Sequence, residues 1–200
     1  SPSATSPGLT DLNDNGYFFR TAPSDARGGQ ILADITKDRK VKSVAITYTN
    51  NDYGKGLADV YKAAVEAHGI KVTTVAAHED GKADYSVEVA TLASAGGDAV
   101  AVIGYIDQGG KGIIQASLDS GAFDKFILSD GMIGDSLTDN FGKALNKSFG
   151  SLPGSTGKGA GVFADVAKAG GIDSSGPYTG ESYDAAALIT LAMQAGGKAD

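Results

Sequence analysis

Residues 43–77, SVAITYTNNDYGKGLADVYKAAVEAHGIKVTTVAA, decide the fold. The run Ser43–Tyr48 is apolar, β-branched and aromatic, and too short for a helix, so it reads as a buried strand. Leu57, Val60, Tyr61, Ala64, Val65 and His68 then recur at helical spacing and make one apolar stripe. Asn51 or Asp52 supplies the cap at its start, and Gly69 ends it. Val72–Ala77 is a second buried strand. Strand, helix and strand in that order make a βαβ unit with its two strands parallel.

The unit repeats outward. Ala99–Gly104 and Phe126–Leu128 are further strands, and the strand starts recur about every 28 residues, the length of one βα step. Helices are expected near Tyr85–Ala95, capped by Asp84, and near Gln108–Ser120, which turns Ile113, Ile114, Ser117 and Leu118 inward and stops at Gly121. Upstream, Tyr17–Thr21 is expected as a short strand before a helix at Ala26–Lys37 that buries Ile31, Leu32 and Ile35. Downstream come a partly helical Asp135–Leu145, a short strand Phe149–Leu152 and an apolar helix Tyr183–Ala195. The fold class is therefore α/β, a parallel sheet with helices on both faces.

Composition narrows the function. With 200 residues, 42% hydrophobic, the chain can bury a core. A net charge of −7 and no Lys/Arg run argue against nucleic acid. Cysteine is absent and only His68 and His78 are present, so thiolate or multi-histidine metal sites and cysteine nucleophiles are not expected. No apolar run approaches a membrane span. Enzyme readings fare poorly, for there is no nucleophile elbow. His68 reads as core and His78 as a solvated loop residue beside Glu79 and Asp80. Gly154–Gly161 (GSTGKGAG) imitates a phosphate loop, but Leu152 and the glycine after Lys158 break the pattern, leaving a flexible turn. No cofactor is expected.

In an open parallel sheet, ligands bind beyond the carboxyl ends of the strands. Those ends present Tyr53 after the first strand, His78 to Asp80 after the second, Tyr105 after the third, and Ser129 and Asp130 after the fourth. Aromatic walls with one carboxylate suit a small, partly apolar solute that is cationic or zwitterionic.

An ordered series of short motifs carries a resemblance. It runs from Ser1–Pro7 (SPSATSP) through Tyr17–Thr21, Pro23–Asp25, Asn51–Gly56 (NDYGKG), Gly104–Tyr105 and Ser129–Gly131 to Gly176–Tyr178 and Tyr183–Ala186. In these motifs the chain resembles the periplasmic branched-chain amino-acid binding proteins of ABC transporters. The resemblance implies a two-lobe protein of type I periplasmic fold that closes around its solute. Residues 1–10 would then be an interlobe segment belonging to a missing first lobe, and 11–200 the second ligand-binding lobe. The unsupported ends of the chain fit that expectation.

The resemblance also implies the site. Ser3, Ala4 and Thr5 would hold the solute's carboxylate and part of its ammonium, Ser3 through its carbonyl and Thr5 through its hydroxyl and N–H. Tyr53 would close over the solute, Tyr105 would wall it, and Asp130 would face the ammonium, one methylene shorter than the Glu common in the family. The implied partners are a small solute, best matched by an aliphatic amino acid, and a membrane permease. The face that meets the first lobe could also pair with another copy. The implied location is the periplasm or the outer face of a membrane. A ligand-sensing regulatory module, or capture of an amide or aromatic acid, are the alternatives.

Overall fold

A computed structural model describes residues 1–154 and 157–198. Five strands form one parallel sheet: β1 (Ser43–Thr49), β2 (Lys71–His78), β3 (Ala99–Ile103), β4 (Phe126–Leu128) and β5 (Phe149–Gly150). Their order across the sheet is β2-β1-β3-β4-β5. Helices α1 (Asp25–Asp38), α2 (Asp52–Ala67), α3 (Ser86–Ala95), α4 (Lys111–Ser120), α5 (Asp135–Phe141), α6 (Lys158–Ala169) and α7 (Thr179–Gly196) precede, connect or follow them.

Strand alternation divides the core in two. Val44, Ile46, Ala99, Ala101, Ile103 and Ile127 pack with Leu32 of α1 and Leu57, Tyr61 and Val65 of α2. Ala45, Val100, Val102, Phe126 and Leu128 pack on the other face with α3, α4 and Met132. Both faces are covered, which is why these strands read as continuous apolar runs. The start of α2 is fixed by Asn51, whose side chain accepts the Gly54 amide at 2.9 Å. Gly54 itself must be glycine, since a Cβ there would meet the Thr49 carbonyl at 2.2 Å.

Several expectations need correction. Tyr17–Thr21 forms no strand; it runs as irregular chain tied to the opening segment by Thr21 N–H to the Ser1 carbonyl, 3.1 Å. Ile31 is exposed while Leu32 is buried, because α1 turns Leu32 and Ala33 inward. The third crossover, from β3 to β4, begins with a π-turn, Ile106–Gly110, before α4. Asp84 caps α3 from one residue earlier than the structural N-cap, accepting the Ser86 amide at 2.9 Å.

The two histidines exchange their expected places. His78 ends β2 and is buried, its Nδ1 2.8 Å from the Thr47 hydroxyl. Burial holds its pKa below the ordinary value. His68 caps α2 at the surface and meets Asp34 at 2.7 Å. Within the glycine-rich stretch, Lys158–Gly161 opens α6, whereas Ser155 and Thr156 lie outside the described residues. Ala199 and Asp200 lie outside them too. Among the described residues no helix is long and apolar enough to cross a membrane.

Candidate functional site

The strand order places a switch point between β1 and β3. From β1 the chain leaves toward α2 on one face; from β3 it leaves toward α4 on the other. The connections diverge at the carboxyl edge and open a crevice there. Tyr53 stands in the first turn of α2 and Tyr105 just before the π-turn, so the crevice is flanked by both rings. They stack at 5.2 Å between centroids, with 29° between planes.

The carboxyl end of β4 adds the polar groups. Asp130 opens a short 3-10 turn, Asp130–Met132. The Tyr53 hydroxyl donates to Asp130 Oδ1 at 2.6 Å and lies 3.1 Å from Ser129 Oγ. Ser129 Oγ accepts the Gly104 amide at 3.3 Å, which ties the tips of β3 and β4 together. Gly131 permits this crowding, because a Cβ there would come within 2.3 Å of the Gly104 carbonyl oxygen and 3.2 Å of the Tyr53 hydroxyl.

The opening segment forms the facing wall. Arg20 straps it down, its guanidinium donating to the Ala4 carbonyl at 3.3 Å, the Ser6 carbonyl at 2.9 Å and the Thr10 hydroxyl at 2.6 Å. Thr5 is buried and its carbonyl accepts the Asp25 amide at 2.8 Å. Ser3, Ala4, Thr5, Tyr53, Tyr105 and Asp130 thus all line one cleft of about 540 Å³. These are the six residues that the resemblance implies; of the other strand-end residues, His78, Glu79, Asp80 and Ser129 are not in that lining.

The structure adds Tyr178, which was quoted in a motif but given no role. It precedes α7 with a left-handed φ of 61°, lines the cleft, and its hydroxyl donates to Asp130 Oδ2. Both carboxylate oxygens of Asp130 are therefore capped by phenols. Burial, then the charge of Asp130, push the pKa values of Tyr53, Tyr105 and Tyr178 up, so all three hydroxyls stay protonated and able to donate. Asp25, just behind Thr5, was also missed; its position at a helix start resembles an ordinary first-turn acid. No group of His, Asp and Glu that could hold a metal occurs among the described residues.

Comparison with known proteins places this geometry. Residues 1–172 match the model of the receptor family ligand binding region. The chain belongs to that family. Curated relatives include an amino acid binding protein of Pseudomonas aeruginosa, 27% identical over the whole chain and 54% of the relative. The Leu/Ile/Val-binding protein homolog 1 of Brucella melitensis is 30% identical, again over the whole chain and 54% of the relative. The chain spans about half the length of such relatives. Among solved structures, a leucine binding protein of Thermotoga maritima superimposes with a TM-score of 0.82 at 20% identity, covering all of this chain and 57% of that one. An ABC-transporter solute binding protein of Rhodopseudomonas palustris, in complex with p-hydroxybenzoic acid, does so with 0.78 at 20% identity, covering 56% of that chain. The fold is that of type I periplasmic binding proteins.

Proposed function

We propose that residues 11–200 are the second lobe of a two-lobe solute-capture protein, and that residues 1–10 belong structurally to the first. The reading is a binding role, with no catalysis. One observation carries it: six residues from four separate segments converge on a single cleft at the switch point. The names of the relatives favour an amino acid of aliphatic type.

The chemistry divides between the walls. A zwitterion leaving water needs both charges met, since an unpaired buried charge is costly. Ser3, Ala4 and Thr5 offer a hydroxyl, N–H groups and carbonyls to its carboxylate and part of its ammonium. Asp130 offers the opposite charge, and the Tyr53–Tyr105 stack offers an apolar wall. The missing lobe would complete the enclosure, and the closed form would gain by its differential affinity for solute. A membrane permease would then read the closed shape at the periplasmic or extracellular face. The uncovered apolar face of α6 and α7 would meet the first lobe or, without it, a second copy.

A second reading draws on two observations. Both oxygens of Asp130 are already met by phenols, and related structures hold hydroxybenzoate. On that reading Asp130 is a latch and the solute an amine-free aromatic acid.

Calorimetric titration of the two-lobe protein separates them. Heat with leucine or valine that disappears in Asp130→Ala supports amino-acid capture. Tight binding of 4-hydroxybenzoate, unchanged by that substitution and with no amino-acid heat, would refute it.

A further inference from the structure

His78 Nε2, at the end of β2, and Glu88 Oε2, in the first turn of α3, are both buried without a hydrogen-bond partner. Neither residue lines the cleft, yet the His78 ring sits under the segment that carries Tyr105. A Cβ at Gly104 would lie 3.3 Å from Nε2, and one at Gly109 would lie 3.3 Å from Nε2 and 3.1 Å from Cδ2. One edge of the imidazole therefore supports both ends of the span 104–109. Tyr85 pins the same span: its ring meets His78 edge-on at 6.2 Å between centroids, and its hydroxyl lies 3.0 Å from the Gln108 carbonyl.

The His78 Nδ1 lies 2.8 Å from the Thr47 hydroxyl. With its one proton on Nδ1, donated to Thr47, the neutral ring leaves only a bare lone pair at Nε2. A second proton would make a buried cationic N–H that needs an acceptor. The nearby backbone is engaged: the Gln108 carbonyl accepts the Gly81 amide at 2.5 Å, and the Tyr105 carbonyl accepts the Gly110 amide at 3.0 Å. Three acids face the ring, Asp80, Glu88 and Glu79. Asp80 and Glu79 are exposed and held by Thr49 at 2.8 Å and Asn50 at 2.6 Å. Glu88 is paired through Oε1 with Lys82, which leaves Oε2 open. Asp107 of the π-turn is exposed and paired with Lys111. Burial outweighs the three acids and keeps the imidazole below the ordinary histidine value.

We propose that His78 is a positioning residue for the Tyr105 wall, and that its protonation state sets how firmly the wall is held. Neutral, the ring fills the space under Gly104 and Gly109 and fixes Tyr105 against Tyr53. Protonated, it takes Glu88 Oε2 as its acceptor, draws its edge toward α3 and withdraws that support. Tyr105 then loosens in acid. The consequence for solute, a hold that weakens as the wall loosens, rests on the cleft reading above.

NMR of the labelled chain tests this without any solute. The two imidazoles, assigned with His68→Gln, should titrate separately, with His78 below the ordinary value of about 6.5. The amides of Gly104, Tyr105 and Gly109 should follow the His78 midpoint, and Glu88→Gln should lower it further. An ordinary midpoint, or amides that ignore it, would overturn the proposal. Leucine calorimetry on the polypeptide carrying both proposed lobes, above and below that midpoint, reads the effect on the site. Affinity should fall about tenfold more in the parent than in His78→Phe, the effect of one pKa unit of coupling. Equal falls would overturn the positioning role; if His78→Phe does not fold, the amide titration of the parent decides. Failure to bind any amino acid would remove the cleft reading, and the amide titration would still decide the role of His78.

Discussion

Two apolar regions of this chain behave in opposite ways. From β1 to β4 the large apolar side chains other than Val87 are covered; Ile46, Val102, Ile113 and Phe126 are fully buried. In α7, whose sequence is just as apolar, no residue is buried, and Leu188, Ile189 and Leu191 are 59%, 64% and 60% exposed. The first region brings its own cover, because each βα step lays a helix on the strand beside it. Among the described residues, the second is tied by the Phe163–Tyr183 ring contact, at 5.4 Å between centroids, and by the Thr21 hydroxyl on the Glu181 carbonyl at 2.8 Å. Apolar periodicity marks a face that needs a partner, and only the fold says whether this chain supplies one.

Substitutions should separate the regions sharply. Phe126→Ala removes a fully buried ring of β4 from the core on the α3 and α4 side of the sheet, and thermal or denaturant unfolding should show a loss of about 4 kcal/mol. A loss as small as a surface substitution would mean that the sheet is not the core.

Asp25 gives the next largest effect. Its folded pKa lies above the reference 3.8, so the folded state holds the proton more tightly than the unfolded chain. Stability should therefore fall as pH rises from 3.8 to about 7, then level off. Above that range Asp25→Asn should be more stable than the parent by on the order of 2 kcal/mol, since the cost of a buried charge is gone. Greater stability of the parent at high pH would contradict it.

Smaller still, Tyr53→Phe deletes the hydroxyl that meets Asp130 and keeps the ring, and should cost about 1 kcal/mol by chemical denaturation. In the chain alone, Leu188→Ser should change stability by less than about 0.5 kcal/mol. The same change in a two-lobe protein should cost more if the first lobe covers α7. Equal small effects in both would show that the face stays uncovered.

Much of this was legible in the residues, for identifiable reasons. Strands buried on both faces are continuous apolar runs, so β1, β3 and β4 stood out, and the strand tips led directly to Tyr53, Tyr105 and Asp130. Where the signal was local and polar it misled. His78 beside Glu79 and Asp80 looks solvated, yet β2 extends one residue further and carries the imidazole under Gly104 and Gly109. Asp25 looks like a helix-start acid, and its burial depends on Thr5 arriving from twenty positions earlier. Tyr17 and Phe19 suggested a strand, but no neighbouring strand is there to pair with, and both rings are exposed.

The central claim is that solute meets this chain at the switch-point cleft. The most direct measurement is an amide NMR titration of the ¹⁵N-labelled chain with leucine, read residue by residue up to millimolar solute. The account predicts shifts concentrated at Ala4, Thr5, Tyr53, Tyr105 and Gly131, with α7 silent. Shifts confined to α6 and α7, or none at the cleft, would contradict it.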